Sequence, residues 1–220
     1  MLVSVHSKRR DTSIAERPAP LVRSLGVADY AATCEAMRRF TADRGAVTPD
    51  ELWVLEHPPV FTAGVAARPE HFPRTSSIPL VRADRGGQIT YHGPGQAIVY
   101  TLVDLERSRL TVRGMVALIE DAVIAALAEN GVGAARRAGA PGVYVGGAKI
   151  AALGLRVRGG CCYHGVALNV DMDLAPFHDI DPCGYPGLRV TQTSEHGVGA
   201  GSLELGEALA SRIAGLISAR

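Results

Sequence analysis

Two residues carry the most reactive chemistry in the chain. Lys149 stands in the apolar run Ala148-Lys149-Ile150-Ala151-Ala152-Leu153, and Cys183 stands in the turn Asp181-Pro182-Cys183-Gly184. A lysine in an apolar run needs a task or a partner for its amine. A cysteine framed by proline and glycine is held by a turn, which leaves its sulfur accessible. A thiol has a free pKa of about 8.5 and reacts as the thiolate. A nearby ammonium stabilises that thiolate, and a nearby neutral amine accepts the thiol proton. Together the two could attack an activated carbonyl. Taken singly, Lys149 reads more readily as a strand-edge lysine with its head in water, and Cys183 as readily as a passive turn cysteine.

The second informative stretch runs from Arg85 to Gln96 (RGGQITYHGPGQ), with four glycines and a proline in a dozen residues. Glycines are costly in conformational entropy, and they permit close backbone approach to a ligand. Exposed N–H groups there can receive a carbonyl oxygen or an anion. An ordinary Gly-rich hairpin would look the same by composition. The stretch is neither a P-loop nor a GxGxxG fingerprint, and Gly-Gly-Ala-Lys149 also fails the P-loop pattern. His92 and His164 each lie beside glycine and read as structural hydrogen-bonders or as general bases. Cys183 with either histidine would resemble a thiol hydrolase. Asp171 and Asp173 read as a solvated strand end rather than as a metal site.

These residues need a scaffold, and the chain supplies one. Strands are expected near 21–25, 51–56, 80–83, 97–104, 142–145, 149–157 and 162–171. Asp29 and Thr111 are N-cap signals for helices over 30–44 and 111–130, with Gly45 and Gly131 as stops. A third helix is expected over 202–219, and a short helical turn over 174–180. Gly146-Gly147 and Gly159-Gly160 suit the turns of two antiparallel hairpins. Pro58 and Pro59 break regular structure between 57 and 64, and 68–77 reads as a surface loop. The expected fold class is α+β: a mixed, largely antiparallel sheet with helices packed mainly on one face.

Composition sets the outer bounds. The chain has 220 residues, 47% hydrophobic and 20% charged, and a net charge of +1. That is ordinary for a soluble protein and gives no electrostatic footprint for nucleic acid or a membrane surface. No apolar run approaches the ~20 residues of a membrane span. Residues 1–20 are polar and proline-ended, read as a disordered tail before a catalytic domain over 21–220. The four cysteines, Cys34, Cys161, Cys162 and Cys183, form no metal-ligand spacing and no evident disulfide framework, which fits a reducing cytoplasm. No metal is expected.

Read together, the motifs resemble the lipoyl(octanoyl) transferases. The resemblance rests on 85–96, on Pro141-Gly142-Val143-Tyr144-Val145, on 149–157, on His164-Gly165-Val166-Ala167-Leu168-Asn169-Val170 and on Asp181-Pro182-Cys183-Gly184. It covers the chain from about Leu21 onward. It implies the fold of biotin and lipoate protein ligases, which is also class II aminoacyl-tRNA synthetase-like. It implies transfer of octanoyl (or lipoyl) from acyl carrier protein to a lysine of lipoyl domains, those of 2-oxoacid dehydrogenase E2 subunits and of the glycine cleavage H protein. Carried over by motif, Cys183 is the acyl-accepting nucleophile and Lys149 tunes it. Arg85, Gly86, Gly87, Gln88, Ile89, Thr90, Tyr91 and His92, with Ala152, Leu153, Gly154, Gly165, Val166 and Ala167, line the acyl site. No cofactor is expected, and a cytoplasmic monomer is the default. Two other readings fit the same fold: an ATP-dependent lipoate or biotin ligase, and a silent module that binds acyl-carrier or lipoyl domains.

Overall fold

The computed structural model describes residues 18–73, 76–181 and 187–220, so the N-terminal tail up to residue 17 and Cys183 lie outside the described residues. In chain order the strands are β1 (Leu21–Val27), β2 (Glu51–Glu56), β3 (Val60–Ala63), β4 (Leu80–Arg82), β5 (Ile89–His92), β6 (Gln96–Asp104), β7 (Ala135–Arg136), β8 (Val143–Val145), β9 (Ala148–Arg158) and β10 (Cys161–Asn169). The helices are α1 (Tyr30–Ala42), α2 (Val112–Glu129) and α3 (Ser202–Ser218). Both cap signals act as read. Asp29 accepts the Ala32 N–H at 2.9 Å and Thr111 accepts the Gly114 N–H at 3.0 Å, each satisfying a donor that the helix itself leaves open.

Among the described residues seven strands form the main sheet, in the order β1-β2-β6-β10-β9-β8-β7. Its pairs are antiparallel except β1 with β2. The turns at Gly146-Gly147 and Gly159-Gly160 place all four glycines at positive φ, between 54° and 81°. That is the mirror-image turn whose twist matches a hairpin. β3 lies between β4 and β5 in a second, three-stranded sheet. Its existence corrects the expectation of an irregular 57–64. The prolines end at 59, and Val60-Phe61-Thr62-Ala63 has the β-branched and aromatic residues a strand favours.

Alternation along the central strands explains the layering. Leu52, Val54, Ala97 and Val99 face α2 and α3, while Trp53, Leu55, Ile98, Tyr100 and Leu102 face α1. The sheet is therefore buried on both faces. As expected, the helices gather mainly on one side, where α2 and α3 lie, while α1, with Tyr30, Cys34 and Met37, covers the other. No helix among the described residues is long and apolar enough to cross a membrane.

One irregularity matters for the site. Val143 pairs with Ala151, but the next residue, Tyr144, pairs with Lys149. Ile150 is thus an extra residue in β9, a β-bulge. Val143, Ile150 and Ala151 all join the core under the helices. The bulge reverses the alternation, and Lys149 comes to lie on the face opposite that core.

Candidate active site

Lys149 is 4% exposed. Its Nζ donates to Pro141 O at 3.1 Å and lies 5.3 Å from the centre of the Tyr144 ring. Gly142, between Pro141 and Val143, adopts φ +133°. A methyl group at Gly142 would sit 2.7 Å from Ala151 O, 3.0 Å from Lys149 Cε and 3.2 Å from Lys149 Nζ. Glycine is therefore required where the lysine stem passes. The Lys149 backbone is also used: its N–H donates to Arg189 O at 2.8 Å, and its carbonyl accepts from Thr191 N at 3.0 Å. The segment that follows the Asp181–Gly184 turn motif is thus paired alongside Lys149. On the other side of that motif, Asp181 meets His71 Nδ1 at 2.9 Å.

A buried polar chain ties this segment to the sheet. Asn169 Nδ2 donates to Thr191 O at 2.9 Å, and Asn169 Oδ1 accepts from Gln96 Nε2 at 2.9 Å. Gln96 Oε1 then meets His92 Nδ1 at 2.7 Å. Burial, with His57 and Arg85 as neighbours, pushes the His92 pKa down to about 3, so its ring is neutral.

Three residues along β9 from Lys149, Ala152 begins the wall of a cavity that opens to solvent at one end. Leu153 and Gly154 follow from β9, and His164, Gly165, Val166 and Ala167 from β10. Arg85, Gly87, Gln88, Ile89, Thr90 and His92 close it from the Gly-rich stretch. Tyr30, Ile98 and Tyr100 complete the lining. Of the fourteen residues expected around an acyl chain, all but Gly86 and Tyr91 are brought to this one cavity. Gly86 instead donates its N–H to Leu155 O at 2.9 Å, latching the loop to β9. Tyr91 turns away and packs against Phe61 and Phe177. Arg85 lines the cavity, yet its guanidinium donates to Thr62 O (2.6 Å), Thr62 Oγ1 (2.8 Å), Gly86 O and Gln88 O, which fixes the loop's shape.

Gly165 is needed for closeness as well as for the lining. A methyl there would fall 2.0 Å from Val99 O on the neighbouring strand. Its neighbour His164 holds φ +62° within β10, a conformation uncommon for a non-glycine. His164 Nε2 meets Asp84 Oδ1 at 2.9 Å. Asp84 also accepts from Tyr163 Oη at 2.5 Å and Arg38 Nε at 3.2 Å. Partial burial alone would raise the Asp84 pKa, but these hydrogen bonds outweigh it and hold the carboxyl well below the usual range. Burial lowers the His164 pKa despite Asp84, so the ring is neutral at pH 7. Cys34, Asp84 and His164 bring possible ligand atoms within 4.8 Å of one another. The Arg38 guanidinium on the same carboxylate makes this a hydrogen-bonded anion rather than a cation site.

Sequence reasoning named His164 as a structural hydrogen-bonder or a general base, and its bond to Asp84 fits the former; it gave no role to Tyr30, Ile98 or Tyr100. Tyr30 was legible only as the start of a helix after the Asp29 cap, because a helix residue reveals its cavity only once the sheet it covers is known.

A family model described as the lipoyl protein ligase A/B catalytic domain matches residues 29–212. An octanoyltransferase of Dechloromonas aromatica (strain RCB) is 58% identical over 194 residues, which is 88% of this chain and 95% of that one. Among solved structures, a lipoate-protein ligase A bound with ATP superposes with a TM-score of 0.76 at 16% identity, over 90% of this chain and 85% of that one. The bipartite lipoate protein ligase of Thermoplasma acidophilum, described together with its E2 lipoyl domain, gives a TM-score of 0.70 at 16% identity, over 91% and 84%.

Proposed function

Because the chain belongs to the octanoyltransferase family, within the lipoyl protein ligase A/B catalytic domains, we propose that it moves an octanoyl group from the thioester of acyl carrier protein to a lysine of a lipoyl domain, through an acyl thioester on Cys183. The observation that carries this reading is the setting of Lys149. The bulge in β9 turns it to the face that also presents Ala152, and it is paired with the segment that follows the Cys183 motif.

In the first half-reaction the Cys183 thiolate, favoured by the positive charge of Lys149, attacks the carrier thioester carbonyl. The C–S bond to pantetheine breaks, Lys149 gives its proton to the departing thiolate, and octanoyl–Cys183 remains. In the second, Lys149 as free amine takes a proton from the acceptor lysine as that amine attacks. The bond to Cys183 sulfur breaks and an amide forms. Thioester exchange is near balanced and amide formation from a thioester is downhill, so the cycle needs no ATP. Of the two candidate sources of oxyanion donors, backbone N–H groups around 152–154 are favoured over those of 165–167, whose strand is paired on both sides. The walls from Ile98, Tyr100, Ala152 and Ala167, which share the face turned away from α2 and α3, take the alkyl chain, at about 0.8 kcal/mol for each buried CH₂. The acceptors we favour are E2 lipoyl domains and the glycine cleavage H protein, and the setting is the cytoplasm.

Intact-protein mass spectrometry tests this directly. Mixed with octanoyl-acyl carrier protein and no ATP, the protein should gain one octanoyl group on Cys183 and lose it to an added lipoyl domain. Lys149→Ala should abolish both steps. Lys149→Arg keeps the charge without a usable base, so it separates electrostatics from proton transfer. Modification of the lipoyl domain only with free octanoate and ATP would replace this reading with a ligase.

A further inference from the structure

We propose that Tyr30 sets the length of the acyl chain that the cavity accepts; this rests on the cavity being the acyl site. The cavity has a clear direction. Gly87 at its mouth is exposed, and Thr90, Leu153 and Gly154 are half-buried. At the far end Tyr30 is 3% exposed, Ile98 1% and His164 1%.

Most polar rings of this closed end are bolted in place. Tyr100 Oη donates to His57 Nε2 at 2.8 Å, and His57 Nδ1 donates to Ala28 O at 2.6 Å. His164 is held by Asp84, and His92 by Gln96. Tyr30 differs. Among the described residues its Oη is buried with no hydrogen-bond partner. Only ring packing holds it, stacked on His92 at 5.9 Å and edge-on to His57 at 5.1 Å. It occupies the first position of α1, directly after the Asp29 cap.

Two consequences follow. The Tyr30 hydroxyl is already stripped of water, so a terminal methyl resting against the ring displaces none. A longer chain has to move the ring or one of the bolted groups beside it. Truncating Tyr30 breaks no side-chain hydrogen bond and lengthens the cavity, whereas truncating Tyr100 would orphan His57. Among the rings of the floor, Tyr30 is therefore the one whose size can reset the limit without orphaning a partner. Each methylene given apolar room is worth about fourfold in affinity, so two are worth about fifteenfold.

The test is a competition between octanoyl and decanoyl carrier thioesters, read by intact mass, for wild type, Tyr30→Ala, Tyr30→Leu and Tyr30→Phe. Calorimetry with free octanoate and decanoate gives a readout independent of turnover. Tyr30→Ala should shift the decanoyl-to-octanoyl ratio about tenfold or more towards decanoyl, and Tyr30→Leu by less. Tyr30→Phe keeps the ring and should retain the wild-type order. A ratio within twofold of wild type in a cooperatively melting Tyr30→Ala protein overturns the proposal, and Tyr30→Leu decides the matter if the alanine variant does not fold. An equal shift in Tyr30→Phe also overturns it, because the hydroxyl rather than the ring would then be responsible. If wild type transfers no acyl group from any thioester, the octanoyltransferase reading fails on its own, and the calorimetric length preference still decides the role of Tyr30.

Discussion

Replacing Asn169 tests whether Lys149 works only when its neighbouring segment is tied to the sheet. Asn169 is 4% exposed and makes two side-chain hydrogen bonds of 2.9 Å, one to Thr191 O and one from Gln96 Nε2. In Asn169→Leu, Thr191 O loses that donor, and Gln96 Nε2 keeps only a 3.4 Å contact to Tyr91 O. A buried polar group left unsatisfied costs about 1–3 kcal/mol, so the two together should lower stability by about 2–5 kcal/mol. For a chain of this size, about 2–4 °C per kcal/mol, the melting temperature should fall by roughly 4–20 °C. Asn169→Asp dissects the loss. Its carboxylate still accepts from Gln96 but has no proton to donate to Thr191 O. If the tie to Thr191 holds Lys149 in register, both variants should slow single-turnover transfer from octanoyl–Cys183 by a similar factor, about tenfold or more. The assay is quenched-flow mass spectrometry on folded protein at a temperature well below each melting point. An Asn169→Asp protein that melts earlier but transfers at the wild-type rate would refute the reasoning, leaving Asn169 a purely structural residue.

Two further outcomes follow from geometry and charge. Gly142→Ala places a methyl 2.7 Å from Ala151 O and 3.0 Å from Lys149 Cε at φ +133°; it should lose about 2–4 kcal/mol in urea unfolding and slow acylation of Cys183 in the mass assay. Acid stability should be governed first by His57, His92 and His164, all of which burial holds below the ordinary histidine pKa. The unfolded chain takes up these protons near pH 6.5 while the fold does not, so stability is full above that pH and falls on acidification, for His92 down to about pH 3. Asp84, whose pKa is lowered, adds a loss only below about pH 4. Melting curves from pH 8 to pH 4 check the order: a profile flat to pH 4 would show that the histidines are not neutral in the fold.

Much of this fold was legible because its punctuation is local. Asp29, Thr111 and the paired glycines at 146–147 and 159–160 state their structures through side-chain chemistry and φ. What local rules miss is the consequence of pairing. Residues 60–63 become a strand because 80–82 and 89–92 flank them, and α1 covers the second face because the central strands are apolar on both sides. For the site, the glycines of 85–96 advertised a close approach while 152–154 and 165–167 came only from the resemblance, and the structure draws these stretches to one cavity. Tyr91 shared the same motif but faces a different core, since neighbours in a strand point to opposite sides. The setting of Lys149 depends on one extra residue in β9, which periodicity alone cannot locate.

That extra residue has a meaning for how the chain finds its fold. If β8 and β9 paired without the bulge, residue 149 would fall in phase with Ala151 and Leu153, and its ammonium would enter the hydrocarbon core under α2 and α3. An unpaired buried charge there costs several kcal/mol. The mispaired hairpin is thus excluded by the same side chain that the chemistry requires. Lys149 serves as a register key for this edge of the sheet, so a copy of the hairpin that folds incorrectly is also one that cannot be stable.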